Sequence, residues 1–126
     1  MNITCVTVDC GDPSALAGFW NEALRWGGVA VSADCGGAVC GPADGGTYLE
    51  FIRVPEEKVV KNRLHLGCGV VSLDALDEEI ERLISLGASI AWEENFSAEI
   101  AHTYRNLVLR DPEGNEFCLG GGELPD

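Results

Sequence analysis

Strand and helix signals along the 126 residues predict an α+β fold, two paired β-α-β-β-β modules forming a cupped mixed sheet. Three observations carry that expectation. A β-branched strand segment followed by an amphipathic helix occurs near the start and again after residue 63. Each helix is followed by short extended stretches and a closing strand. The two halves repeat order and period rather than identity, as expected of modules too small to bury a core alone.

The opening ITCVTVDC alternates as a strand does, with Ile3, Cys5 and Thr7 on one face and Val6, Val8 and Cys10 on the other. Asp12 is placed to cap a helix and Pro13 suits its first position. Leu16, Phe19, Trp20, Ala23 and Leu24 form its apolar stripe, and Gly27–Gly28 are expected to stop it. Extended segments at 29–34 and 37–40, the turn PADGG and the strand TYLEFIRV at 47–54 complete the first half.

In the second half LHLGCGVV at 64–71 is the opening strand, its Leu64, Leu66, Cys68 and Val70 facing the helix. The helix runs from Asp74 to Leu86, with Leu76, Ile80, Leu83 and Ile84 at helical spacing, and Gly87 closes it. Extended stretches at 88–93 and 103–110 precede the turn DPEGN and a last strand at 116–119. The reading is one domain over 1–126, with half-module 1–54, linker 55–62 and half-module 63–122. Residues 94–102 read as irregular, either a rim over a cleft or a surface loop. The glycine pairs and Gly120–Gly122 read as turns and strand ends.

Twenty-one acidic against eight basic residues give a net charge of −13. Such a field repels nucleic acid and anionic membrane and favours cationic ligands. No secretory core and no apolar run of transmembrane length is present, so a cytoplasmic location is expected. The six cysteines show neither a C-x-x-C pair nor zinc-finger spacing, and several read as small buried apolar residues. The phosphate-cradling GxxxxGK[ST], the G-x-S-x-G elbow and H-E-x-x-H are all missing.

The stretches VDCGDPSALAGFW, YLEFIRVPEEKVVKNRLHLGC and LRDPEGNEFCLG resemble the vicinal oxygen chelate superfamily, in particular its glyoxalase-like branch with the bleomycin-resistance proteins. The resemblance implies paired β-α-β-β-β modules, often a homodimer, and a ligand or metal site inside the concave sheet surface. Its metal-using members place ligands on the first and last strands of each half, which here are Cys5, Glu50, His65 and Cys118. Cys5 stands where histidine is common and Cys118 where glutamate is common. That departure implies either a metal-free cleft or a softer donor set suited to Zn²⁺ rather than Mg²⁺. Strand alternation is compatible with the set: Cys5 shares a face with Thr7, Glu50 with Tyr48 and Ile52, His65 with Gly67, and Cys118 with Glu116.

With Zn²⁺ or another divalent metal, the resemblance implies a lyase or isomerase acting on a vicinal-oxygen substrate, Glu50 or Glu116 moving the proton. The superfamily's dioxygenase chemistry ranks lower, because its two histidines and carboxylate are absent here. The alternative is metal-free sequestration of a cationic or aromatic, antibiotic-like ligand. Tyr48 and Tyr104 are its wall candidates, with Phe117 beside them, whereas Phe19 and Trp20 read as core. Trp92, next to Glu93 and Glu94, could stack on a cationic aromatic compound. Lys58 and Lys61 could approach a carboxylate or phosphate, and His102 could transfer a proton. A third alternative is a structural homodimer.

Overall fold

The computed structural model describes residues 1–32 and 36–124 and contains two compact units, Met1–Val59 and Val60–Asp126. The first unit runs β1 (Cys5–Cys10), α1 (Pro13–Leu24), β2 (Val29–Ser32), β3 (Gly37–Cys40) and β4 (Tyr48–Arg53). Its sheet has the order β1-β4-β3-β2, with β1 parallel to β4 and the other pairs antiparallel. The second unit runs β5 (Gly67–Val70), α2 (Leu73–Leu86), β6 (Ser89–Glu93), α3 (Ala98–Ala101), β7 (Tyr104–Arg110) and β8 (Glu116–Gly122). Its order β5-β8-β7-β6, with β5 parallel to β8, repeats the first. Each unit is thus a β-α-β-β-β module carrying a mixed sheet, as the sequence predicts.

Local chemistry explains where the helices begin. The Asp12 carboxylate accepts from the Ala15 amide at 3.1 Å, and Pro13 occupies the first turn, where its missing N–H costs nothing. In α2 the Ser72 hydroxyl accepts from the Ala75 amide at 3.1 Å, so the helix starts one residue before the predicted Asp74. Its end at Gly87, left-handed with φ 118°, is the one predicted. The end of α1 differs from expectation. Arg25, not Gly27, takes the left-handed conformation at φ 53°, a cost of about 1–2 kcal/mol for a residue with a Cβ. Asn21 offsets it, its backbone carbonyl accepting the Trp26 amide and its side chain the Gly28 amide, both at 3.0 Å.

Each helix covers one face of its own sheet, α1 packing on β3 and β4 and α2 chiefly on β8. Leu16, Ala17, Phe19 and Trp20 meet Ala38, Cys40, Leu49 and Phe51 as the buried core of the first unit, with Phe19 and Trp20 edge-on at 5.5 Å. Leu76, Ile80 and Leu83 do the same with Leu107, Leu109, Phe117 and Leu119 in the second. Each leucine, isoleucine or phenylalanine among them contributes about 1.5–3 kcal/mol when fully buried. Three expectations are corrected here. Ile84 is 45% exposed, off the buried stripe; Leu64 is exposed and precedes β5, which begins only at Gly67; and Phe117 is core rather than pocket wall. The stretch read as irregular contains the short α3, and β8 continues through Gly120–Gly122 where a strand end was expected. Of the extended stretch 29–34, residues 33 and 34 lie outside the described residues, as does Cys35.

The turn DPEGN has a definite cause. Asp111, buried at the end of β7, accepts the amides of Glu113 and Asn115 and the Asn115 side-chain amide on one carboxylate oxygen, at 3.0 to 3.2 Å. Gly114 then takes φ 87°. On the helix side of the second sheet, Arg105 pairs with Glu93 at 2.6 Å and with Asp77 of α2 at 2.9 Å. The hydrogen bond to Arg105 holds the Glu93 carboxyl below its ordinary range. No helix among the described residues is long and apolar enough to cross a membrane.

Candidate functional site

Alternation along β1 and β4 decides what the first unit presents away from α1. Leu49 and Phe51 turn into the core, which leaves Tyr48, Glu50 and Ile52 on the helix-free face. Parallel register sets Cys5 opposite Tyr48 and Thr7 opposite Glu50. The Thr7 hydroxyl donates to Glu50 Oε1 at 2.9 Å, leaving Oε2 without a hydrogen bond among the described residues. Cys5 Sγ lies 3.9 Å from Thr7 Oγ1. The charge that develops on Cys5, and a hydrogen bond to it, raise the Tyr48 phenol above its ordinary value. Glu50 also stands at the edge of a shallow concavity of about 180 Å³, lined otherwise by Ala30, Val31, Ser32, Gly37, Ala38, Val39 and Ile52. The result is one half-buried carboxylate in a largely apolar hollow.

The second unit treats its carboxylate differently. Glu116, 6% exposed, accepts the Asn62 amide on Oε2 at 2.9 Å and faces Arg110 Nε from Oε1 at 3.9 Å. It anchors the segment leading into β5, a role that its two-residue spacing from Cys118 did not reveal. Cys118 is half-buried opposite Gly67, its sulfur 3.4 Å from where a Cβ on that glycine would stand. His65 is exposed just before β5. Tyr104 packs edge-on with Phe96 at 5.6 Å and reaches over Gly120. Trp92 is half-buried, its indole N–H donating to Glu94 at 2.9 Å, and Lys61 Nζ sits 5.8 Å from its ring centre. His102 is an exposed residue at the end of α3, and Lys58 is exposed in the first unit.

Sequence reading missed the partners rather than the faces. Thr7 was legible as sharing the Cys5 face, but cross-strand register with Glu50 is a tertiary fact. Nothing in the sequence marked the Asn62 amide or Arg110 as partners of Glu116. Cys5 and Glu50 belong to the first unit, His65 and Cys118 to the second. Among the described residues of either unit no three His, Cys, Asp or Glu side chains converge as a metal requires. The donors inside one unit therefore do not fit a metal.

A sequence model described as a glyoxalase-like domain matches residues 5–120. No curated protein matches the chain. Among solved structures, a glyoxalase/bleomycin resistance protein/dioxygenase family enzyme from Burkholderia phytofirmans is similar at 15% identity and TM-score 0.75, covering 98% of this chain and 100% of that one. A fosfomycin resistance protein from Listeria monocytogenes, complexed with Mn(II) and 1S,2S-dihydroxypropylphosphonic acid, gives 17% and 0.75 over 98% and 91%. A possible glyoxalase from Bacillus cereus gives 19% and 0.67 over 94% and 97%. At these identities the likeness concerns the fold alone.

Proposed function

The chain belongs to the glyoxalase-like domain family, with the fold of the vicinal oxygen chelate superfamily, and from that premise we propose that it binds and sequesters a cationic, partly apolar small molecule without a metal. One observation carries the reading: the Glu50 carboxylate, oriented by Thr7, borders a largely apolar concavity on the helix-free face. A carboxylate with one oxygen engaged by a neutral hydroxyl keeps acceptor capacity for an ammonium or amidinium group. The apolar lining takes the rest of the ligand, and the net charge of −13 draws cations toward the chain.

Calorimetric titration of the full chain with bleomycin, a cationic aromatic antibiotic, tests the reading. Saturable binding without product is expected, weakened about tenfold or more in Glu50→Gln, the loss of one charge-assisted hydrogen bond. Equal affinity in the variant, or accumulation of a product, overturns it. The competing reading is a metal-dependent lyase or isomerase with Cys5, Glu50, His65 and Cys118 as ligands and Glu50 or Glu116 as proton carrier. It predicts stoichiometric Zn²⁺ or another divalent metal in freshly purified protein, and turnover of a vicinal-oxygen substrate. A cytoplasmic location and a homodimer complete the proposal. The edge strand β2, with Val31 60% exposed, supports self-association, which solution mass would measure.

A further inference from the structure

Trp92 already has a cation on it. Lys61 belongs to the irregular segment before β5, and its ammonium lies 5.8 Å from the centre of the indole, within reach of the negative face of the ring. Two contacts make this arrangement more than a chance approach of a long side chain. The indole N–H is tied to Glu94 at 2.9 Å, which fixes the edge of the ring and leaves its face for the ammonium. The residue after Lys61 is tied down as well, the Asn62 amide donating to the buried Glu116 at 2.9 Å. The backbone that carries the lysine is therefore held beside the ring, and the exposed side chain reaches the indole from there.

We propose that the Trp92 ring is a binding site for organic ammonium ions whose resident occupant is Lys61, so that the segment before β5 competes with cationic ligands for that ring. The site lies wholly in the second unit and does not rest on the Glu50 reading. Its ligand class is a quaternary or protonated amine, because a ring face attracts a diffuse cation and Glu94 adds negative potential beside it. A tethered contact of the strength usual at exposed sites keeps the closed form two- to fivefold more populated than the open one, to order of magnitude. A ligand that needs the open form is weakened accordingly, by about three- to sixfold.

The probe is benzyltrimethylammonium, titrated into the full ¹⁵N-labelled chain. The readout is the Trp92 indole N–H resonance, identified by its disappearance in Trp92→Phe. Lys61→Gln is expected to bind the probe about three- to sixfold more tightly than the parent. Arg63→Gln makes the same charge change in the same segment and is expected to stay within twofold of it. Lys61→Arg, which restores a cation to the ring, is expected to keep the parent affinity. A Lys61→Gln affinity no greater than that of Arg63→Gln, tighter binding in Lys61→Arg, or a Trp92 resonance that the probe never moves would each overturn the proposal.

Discussion

Gly120 and Gly121 are neighbours in β8 on opposite faces, and adding one methyl group to each should cost very different amounts. A Cβ at Gly121 would stand 2.7 Å from Leu76 Cβ and 3.0 Å from both the Ser72 carbonyl oxygen and Val70 Cγ2. Two of those three belong to the start of α2 or its cap, so the helix as a whole must lift from the sheet. A Cβ at Gly120 would instead meet the Tyr104 hydroxyl end and Asn106 Oδ1, the far ends of side chains that can swing aside. Neither residue has a positive φ, so alanine brings no backbone strain and limits the unfolded chain, a gain of about 0.4–1 kcal/mol. Overpacking against a rigid neighbour costs about 1–3 kcal/mol, and Gly121→Ala should fall in the upper part of that range. Gly120→Ala should cost less than about 1 kcal/mol, the swing of Tyr104 being offset by the entropic gain. In urea, with a slope of about 1–3 kcal/mol/M, Gly121→Ala should lower the unfolding midpoint by roughly 1 M at unchanged slope. A Gly120→Ala variant as destabilised as Gly121→Ala would refute the assignment of faces on which the description of β8 rests.

Two further outcomes follow from groups buried beside or within the core. Asp111→Ala removes the acceptor of the Glu113 and Asn115 amides and should cost about 1–3 kcal/mol by denaturant unfolding, with Asp111→Asn recovering part of it through its remaining carbonyl. Burial pushes the Cys40 thiol up from 9.0 to about 11. Between those values the unfolded chain has lost a proton that the folded chain retains, so stability should fall by roughly 1.4 kcal/mol per pH unit across that window. Cys40→Ala should make that decline shallower, the remainder coming from the Cys68 thiol and the Tyr48 phenol, which are also pushed up; a slope that the substitution leaves unchanged would refute the assignment to Cys40.

How much of this was legible depends on whether the cause is local. The caps at Asp12 and Gly87, the alternation of Leu49 and Phe51 against Tyr48 and Glu50, and the repeated module order are set within a few residues, and each reads directly from spacing. Arg25 escaped because the left-handed cap is stabilised by Asn21, four residues back, and the more obvious signal was the glycine pair beyond it. Ile84 escaped because helical period predicts a stripe but not its width, and the side chain lies 45% exposed outside the buried part. Gly120–Gly122 looked like a strand end since glycine is poor in strands. Their reasons to be small are tertiary or conformational: Tyr104 lies over Gly120, α2 lies against Gly121, and Gly122 has φ 99° beside the Thr103 carbonyl.

The two modules share a frame but have diverged on the positions that their registers set opposite one another. In the first, Cys5 and Thr7 face Tyr48 and Glu50; in the second, the same places hold Gly67 and Gly69 against Cys118 and Gly120. Side chains that donate and accept line the first set, while the second leaves room that Tyr104 fills over Gly120. The two carboxylates follow suit, since Glu50 is half-buried with one oxygen engaged and Glu116 is buried with both oxygens facing donors. Neutralising them should therefore separate two properties. Glu116→Gln loses a charge-assisted bond to Asn62 in a buried setting and should lower the urea midpoint by more than Glu50→Gln does. Glu50→Gln should act mainly on affinity for a cationic ligand. If Glu50→Gln instead proves the more destabilising of the two, its carboxylate is a structural anchor like Glu116, and the concavity beside it is no longer a reason to expect a ligand.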